Sequence, residues 1–374
     1  REHLLRNVTI LRIVDYSLSR VRLFEEAQNA PLILVFAKRE PPNGHRVKVA
    51  MVNRLEERME WEIEQGELPL YKNDPASPWL MAPPDVVSIM RKMQKAGPRL
   101  GDVFSVNRGI MTSANDIFFV KEFELTDTPG VVLATTEGGE RIRIEGELLR
   151  PLVRGRDIDA WRYRVENYII WTHDDKGGRV KEMLPPYAEK YFKRKDVKEK
   201  LLKRDDYKPG QPPWIIFRVS EEKLKDKVAW QEIAKVVEAV YVPSRHADPA
   251  LGTRTLIVDH KVYFIAVERE DLGYAMAALL NSLPVRTYVA AYVNRTGAAY
   301  CDYLTWIMGL IPIPEEILRE PPRDIIALSM KLHETSGGNE NVLEELERLI
   351  ASLYDLNEER VDAMRAFLKF FQAG

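Results

Sequence analysis

The chain has 374 residues and a single cysteine, Cys301. One cysteine excludes an internal disulfide framework and a cysteine-rich zinc site, and it fits a reducing cytoplasm, the compartment expected for this chain. No run of about 18 apolar residues occurs, so no membrane-spanning helix is expected. The first residues, REHLLRNVTILRIVDY, lack a signal-peptide pattern and a starting Met, and enter at once into an apolar-periodic segment. They are read as a cut point inside a longer polypeptide. Neither sign of charge is in large excess: the net charge is −2, which by itself argues against a nucleic-acid binder. Catalytic signatures are missing too. There is no G-x-G-x-x-G, no P-loop, no HExxH and no GxSxG, and the six histidines are scattered without metal-ligand spacing. Internal repeats and low-complexity tracts are absent.

What is present is a soluble globular balance, 45% apolar and 30% charged, long enough for two or three domains. Charge is unevenly spread. From Arg150 to Lys227 there are 21 Lys/Arg against 14 Asp/Glu; from Glu315 to the end there are 7 against 13. A basic middle with an acidic tail can hold phosphate locally, although a run such as KYFKRKDVKEKLLKRDD also reads as a solvated helix face.

The pattern predicts an α+β fold. Residues 1–65 read as mixed α/β, with buried strands over 4–14 and 31–36, a strand at 47–52 and a charged helix or ribbon at 54–65. The proline-rich GELPLYKNDPASPWLMAPP at 66–84 reads as a surface linker, and 85–95 as a helix capped by Asp85 with Val86, Ile89, Met90 and Met93 on one face. Linker and helix together occupy 66–96. From 97 to about 320 short strands are expected at 103–106, 117–121, 130–135, 141–144, 167–171, 213–219, 256–259 and 262–266, with inserted helices at 186–204 and 270–282. In the second of these, Leu272, Ala275, Met276, Leu279 and Leu280 form an apolar stripe. Residues 321–374 read as C-terminal helices.

Two features mimic active-site chemistry. LPPY at 184–187 and QPPW at 211–214 resemble the Asn/Asp-Pro-Pro-aromatic motif of amino-methyltransferases, which needs a polar acceptor before the prolines and an aromatic to stack on a flipped base. Leu184 accepts no hydrogen bond, and Gln211 follows Lys208-Pro209-Gly210 rather than an apolar strand, so a rigid turn with Trp214 packed beneath it is the simpler reading. His173-Asp174-Asp175 reads as a polar turn rather than a metal site. Trp161, Trp171, Trp214 and Trp230 read as core rather than as base-stacking platforms.

Several phrases then fall in order. LGDVFSVNRGIMTSANDIFFV at 100–120 places a polar turn between two alternating apolar runs. ELLRPLVRGRDIDAWRY follows at 147–163, then YIIW at 168–171, LLKR at 201–204, PWIIFRV at 213–219, YFIAVEREDLGYAMAALLNS at 263–282, IPIP at 311–314 and LIASLYDL at 349–356. This series resembles the target recognition domain of TaqI-like adenine-specific DNA methyltransferases, including the type IIG restriction–modification enzymes. Upstream, NVTILRIVDYSLSRVRLFEEAQNAPLILVFAKRE is similar to the last strands of that family's catalytic domain. The family's Gly-rich cofactor loop and Asn-Pro-Pro-Tyr loop have no counterpart in this sequence.

The resemblance implies residues 1–65 as the C-terminal strands of a methyltransferase-like domain and 97–320 as a β-rich target recognition domain. It implies double-stranded DNA as partner, together with an upstream methyltransferase domain or a separate catalytic chain. S-adenosylmethionine would be the parent enzyme's cofactor, with no cofactor or catalytic residue in this chain. The alternative is a non-catalytic specificity subunit beside a separate methyltransferase. The implied DNA-binding residues are Arg108, Thr112 and Asn115 in the first turn, Arg154 and Arg156 in VRGRDID, Arg204 and Arg218, then Arg245, Thr253 and Arg254 in two polar turns, and Asn294 and Arg295. Arginine suits guanine or phosphate, asparagine suits adenine, and threonine suits either a base or a phosphate. For Gly109 and Asn115 plain turn chemistry stands beside this reading, as does an internal Arg–Asp pair for Asp157.

Overall fold

The computed structural model describes residues 1–19, 31–296 and 300–373, apart from the side chains of Asn294 and Thr296. The fold is α+β. It divides into two compact units, each discontinuous in sequence. The first is 1–104, 232–238 and 275–374; the second is 105–231 and 239–274.

In the first unit a four-stranded sheet runs Leu32–Ala37, Thr9–Asp15, Arg46–Val52, Arg58–Glu64, with the central pair parallel and both outer pairs antiparallel. Alternation decides the faces: Val47, Val49 and Met51 are buried on one side of Arg46–Val52, Ala50 and Val52 on the other. The strand Leu32–Ala37 corrects the sequence reading of 31–36. It is a strand, but Leu32, Ile33, Val35 and Phe36 are exposed rather than buried. Residues 1–14 are also mixed, a short helix Glu2–Asn7 followed by the strand Thr9–Asp15.

Segment 66–84 is not a surface linker. It forms the hairpin Pro69–Tyr71/Asp74–Trp79, with Leu68, Leu70 and Leu80 fully buried. Its prolines are accommodated because a two-stranded ribbon leaves outward N–H positions unused. The next helix, Pro84–Met93, buries the predicted face, but Pro83 rather than Asp85 is its N-cap. The acidic end of the chain is helical, over Arg323–Glu334, Glu340–Leu353 and Glu358–Gln372. Asn339 and Asn357 cap the last two by accepting from the Val342 and Arg360 N–H groups.

The second unit carries two larger sheets. One has six strands in the order Arg141–Glu145, Val131–Thr136, Phe119–Leu125, Asn167–Ile170, Leu149–Val153, Ile257–Val258. The other has four antiparallel strands, Ala239–Val242, Lys227–Gln231, Val262–Ala266 and Val106–Arg108. The helices Pro186–Lys193 and Lys195–Leu202 cover the first sheet, burying Ala188, Phe192 and Leu201 with Phe118, Leu149 and Trp171. They were read as one helix. The extended backbone of Arg194 (ψ 140°) breaks it, and the Arg194 guanidinium pairs with Glu140 and Asp196. Residues 213–219 form turns rather than a strand, touching Met111 through a single bridge at Phe217. All four tryptophans named above are buried, and the Trp214 indole donates to the Lys181 carbonyl.

Candidate nucleic-acid interface

The polar stretch 108–115 does not close a hairpin. Val103 ends a short helix, Val106–Arg108 joins the four-stranded sheet, and Phe119–Leu125 joins the six-stranded one after the short helix Asn115–Phe118. The stretch therefore crosses from one sheet to the other. Gly109 permits the crossing. A Cβ there would lie 2.0 Å from the Asp259 carbonyl oxygen and 2.5 Å from that of Val258. The need is close backbone approach, not a positive φ.

A second reversal meets it. Strand Ile257–Val258 turns at Asp259-His260-Lys261 into Val262–Ala266, and the Asp259 carboxylate accepts the Lys261 N–H at 2.8 Å. The Gly109 N–H donates to Val262 O at 2.9 Å and the Ile110 N–H to Val258 O at 3.0 Å. Arg108 lies across this turn, with Nε donating to His260 O at 2.5 Å and its guanidinium 5.5 Å from the Tyr263 ring centroid.

The VRGRDID turn closes the group. Gly155 sits where a Cβ would come within 2.9 Å of Lys261 O. The Arg154 side chain donates to Glu137 at 2.8 Å and lies 3.7 Å from Asp259. Asp157 is buried and accepts the Arg154 main-chain N–H at 2.8 Å, and Arg156 Nε lies 3.7 Å from its carboxylate, the internal Arg–Asp pair that the sequence left open. Burial pushes the Asp259 carboxyl up to about 6 although Arg154 pulls it down, and burial likewise raises Asp157. Arg156 points outward, its side chain 65% exposed.

Other predicted residues separate into internal and external groups. Arg204 is internal. It donates to the carbonyls of Leu201, Thr112, Ile215 and Pro213 at 2.7–2.9 Å, with Phe118 and Phe217 flanking it. Thr112 is buried and donates to Asn115 Oδ1 at 2.5 Å, so the pair organises its own turn. Arg295 belongs to the first unit and is held inside by Asp15 and Ser17. Arg154, Arg204, Arg295 and Thr112, expected to meet DNA, thus engage their polar groups within the protein. The Asn294 side chain lies outside the described residues.

Arg218, Arg245 and Thr253 are exposed, and Arg254 is half-buried. The last three share one ribbon, Arg245–Asp248 paired with Gly252–Thr255. His173 is buried, which pushes it down to about 4. Asp174 accepts main-chain N–H groups from Lys176 to Arg179, and Asp175 pairs with the buried Arg150 at 2.7 Å, so this segment is a polar turn. Sequence reasoning missed Glu137 and Asp259. Both stand in ordinary turn sequence, and only the crossing at Gly109 and the approach at Gly155 bring Asp259 to Arg154.

No family model matches the chain. Its fold is similar to that of part of a solved restriction–modification enzyme, in agreement with the resemblance read from the sequence. One match is to the type IIL restriction–modification enzyme MmeI, solved in complex with DNA. It covers 98% of this chain and 46% of that one, with a TM-score of 0.51 and 12% identity. The type IIG restriction endonuclease BpuSI matches over 99% of this chain and 44% of its own, with a TM-score of 0.42 and 12% identity. The chain therefore spans less than half the length of either structure, and identity at this level speaks to fold.

Proposed function

We propose that this chain is the DNA sequence-recognition portion of an adenine-N6 DNA methyltransferase or a type IIG-like restriction–modification enzyme. The second unit grips duplex DNA. A catalytic domain on the same polypeptide supplies methyl transfer from S-adenosylmethionine to a flipped adenine. The observation that carries this reading is the fold match over 98% of the chain to part of a restriction–modification enzyme solved on DNA.

The geometry of the second unit supports it. Two loops and a turn are packed rigidly around Gly109, Gly155 and Asp259, and they leave Arg156 at the surface beside an internal Arg–carboxylate network. Sites that hold polar side chains at fixed height need such bracing. Arg156, Arg218, Arg245 and Thr253 are the external contacts in this reading, and Arg254 is half-buried. Arg108 and Asn115 stand at the edge of the braced loop, while Arg154, Arg204 and Thr112 hold the scaffold.

The test is binding of the full chain to short duplexes over a salt series. Phosphate neutralisation by several cations gives an affinity that falls steeply as salt rises. Undetectable binding, or binding indifferent to salt, overturns the reading.

A further inference from the structure

The turn at the end of PWIIFRV carries a rare backbone conformation. Arg218 has φ +59°, in the left-handed region that a residue with a Cβ seldom enters. A glycine there would carry no such cost. Such a backbone persists where its surroundings over-determine it, and here they do. On one side, Phe217 exchanges two main-chain hydrogen bonds with Met111 of the crossing, at 2.8 and 3.1 Å. On the other, Val219 packs so closely on Gly178 that a Cβ on that glycine would lie 2.5 Å from Val219 Cγ1.

Between these two anchors the Arg218 carbonyl accepts a hydrogen bond from the Lys223 ammonium. Lys223 is buried in the 3₁₀ turn Glu221–Leu224, which Asn107 ties to the strand Val106–Arg108 by donating to Glu222 at 3.0 Å. Lysine is seldom buried without a carboxylate. Lys223 has none among the described residues, and its hydrogen bond goes to a neutral carbonyl. Burial pushes its pKa down to about 8, and the Arg218 guanidinium pushes it the same way, so it stays mostly charged at neutral pH. A buried ammonium thus stands behind a backbone oxygen and near a like charge, and both features oppose folding.

The Arg218 side chain is exposed and, among the described residues, makes no hydrogen bond or ion pair. The protein itself gains nothing from that guanidinium, yet a strained backbone and a buried cation hold it out. Strain kept in this way points to a group held ready for a partner. A guanidinium with all its donors open suits a phosphodiester.

We propose that Lys223 is a positioning residue: its ammonium holds the Arg218 carbonyl and so fixes the left-handed turn that presents the Arg218 guanidinium to a DNA phosphate. The inference rests on the DNA-recognition reading and adds to it a residue that itself touches no DNA.

The experiment measures the affinity of the full chain for a short duplex over a salt series, for wild type, Arg218→Ala, Lys223→Met and the double variant. Methionine keeps the volume of the lysine and gives up its N–H donors. Losing one phosphate contact lowers the slope of log affinity against log salt by about one. Losing part of the folded protein weakens binding by one factor at every salt and leaves the slope alone. Arg218→Ala and Lys223→Met are each expected to lower the slope by about one, and the double variant by no more than either. A second measurement does not need Lys223→Met to fold: with the turn left-handed, Arg218→Gly has a higher urea midpoint than Arg218→Ala. If Lys223→Met keeps the wild-type slope, or lowers it further in the Arg218→Ala background, the inference falls while DNA recognition stands. The same holds if Arg218→Ala leaves the slope unchanged, or if the glycine variant is no more stable than the alanine one. If wild type binds no duplex, or binds it indifferently to salt, both fall.

Discussion

Arg204 shows how a cation can serve structure from inside the fold. Burial pushes its pKa down to about 10, so it stays charged at neutral pH, and its four carbonyl partners come from three separate segments. Removing it strands those carbonyls. Arg204→Ala is expected to cost roughly 2–4 kcal/mol in urea unfolding, with any change in DNA affinity tracking the loss of folded protein. Asp259 makes a second prediction. Its folded pKa, about 6, lies above the value near 4 of an unfolded aspartate. Between those values the folded chain keeps a proton that the unfolded chain has lost, so this group's contribution to stability falls as pH rises from 4 through 6. Asp259→Asn has no such slope. The stability of the variant relative to wild type should rise across that window by up to about 3 kcal/mol, read from urea midpoints at each pH. A flat difference would show that Asp259 ionises freely in the folded state.

Among the elements, the ribbon at 245–255 depends most visibly on one side chain. Asp248 makes three hydrogen bonds that no neighbour can replace. Asp248→Ala should cost about 2 kcal/mol locally. It should speed amide hydrogen exchange through the ribbon while leaving the six-stranded sheet protected. Equal acceleration in both would mean that the ribbon is not a separate opening unit. The crossing at 108–115 makes the contrasting case. It is held by main-chain bonds and by the room that Gly109 leaves, so single polar side chains matter less there than backbone volume. Thr112 and Asn115 serve that crossing, which is why their polarity was visible in sequence but not their purpose.

For the whole molecule, the net charge of −2 conceals a division of labour. Many basic side chains in 150–227 are matched by acids in ion pairs, and in the proposed reading the exposed cations contact DNA. Each exposed cation that displaces a counterion adds roughly one unit to the salt slope. Arg156→Ala should therefore lower the slope of log affinity against log salt by about one and leave stability near wild type, whereas Arg154→Ala should act through stability. An unchanged slope in Arg156→Ala would remove that residue from the interface. In the first unit, Leu32, Ile33, Val35 and Phe36 stand exposed on an edge strand among the described strands. No helix among the described residues is long and apolar enough to cross a membrane.

Local pattern decided much by itself. The strands expected at 130–135, 141–144, 167–171 and 262–266 form close to those bounds, and the stripe Val86, Ile89, Met90 and Met93 faces inward, as do Ala275, Met276, Leu279 and Leu280 beside a half-buried Leu272. These depend on the period of one segment, which any single chain displays. The tryptophans and the QPPW turn were legible for the same reason. Tertiary structure alone decided the rest. Two sheets claim neighbouring strands at 106–108 and 119–125, a discontinuous unit takes its second segment from 239–274, and Asp259 occupies Arg154 from more than a hundred residues away. Sequence shows that an arginine exists; whether its guanidinium meets a carboxylate, a carbonyl or solvent depends on which distant backbone a missing Cβ allows to approach, and that is settled only when the chain closes on itself.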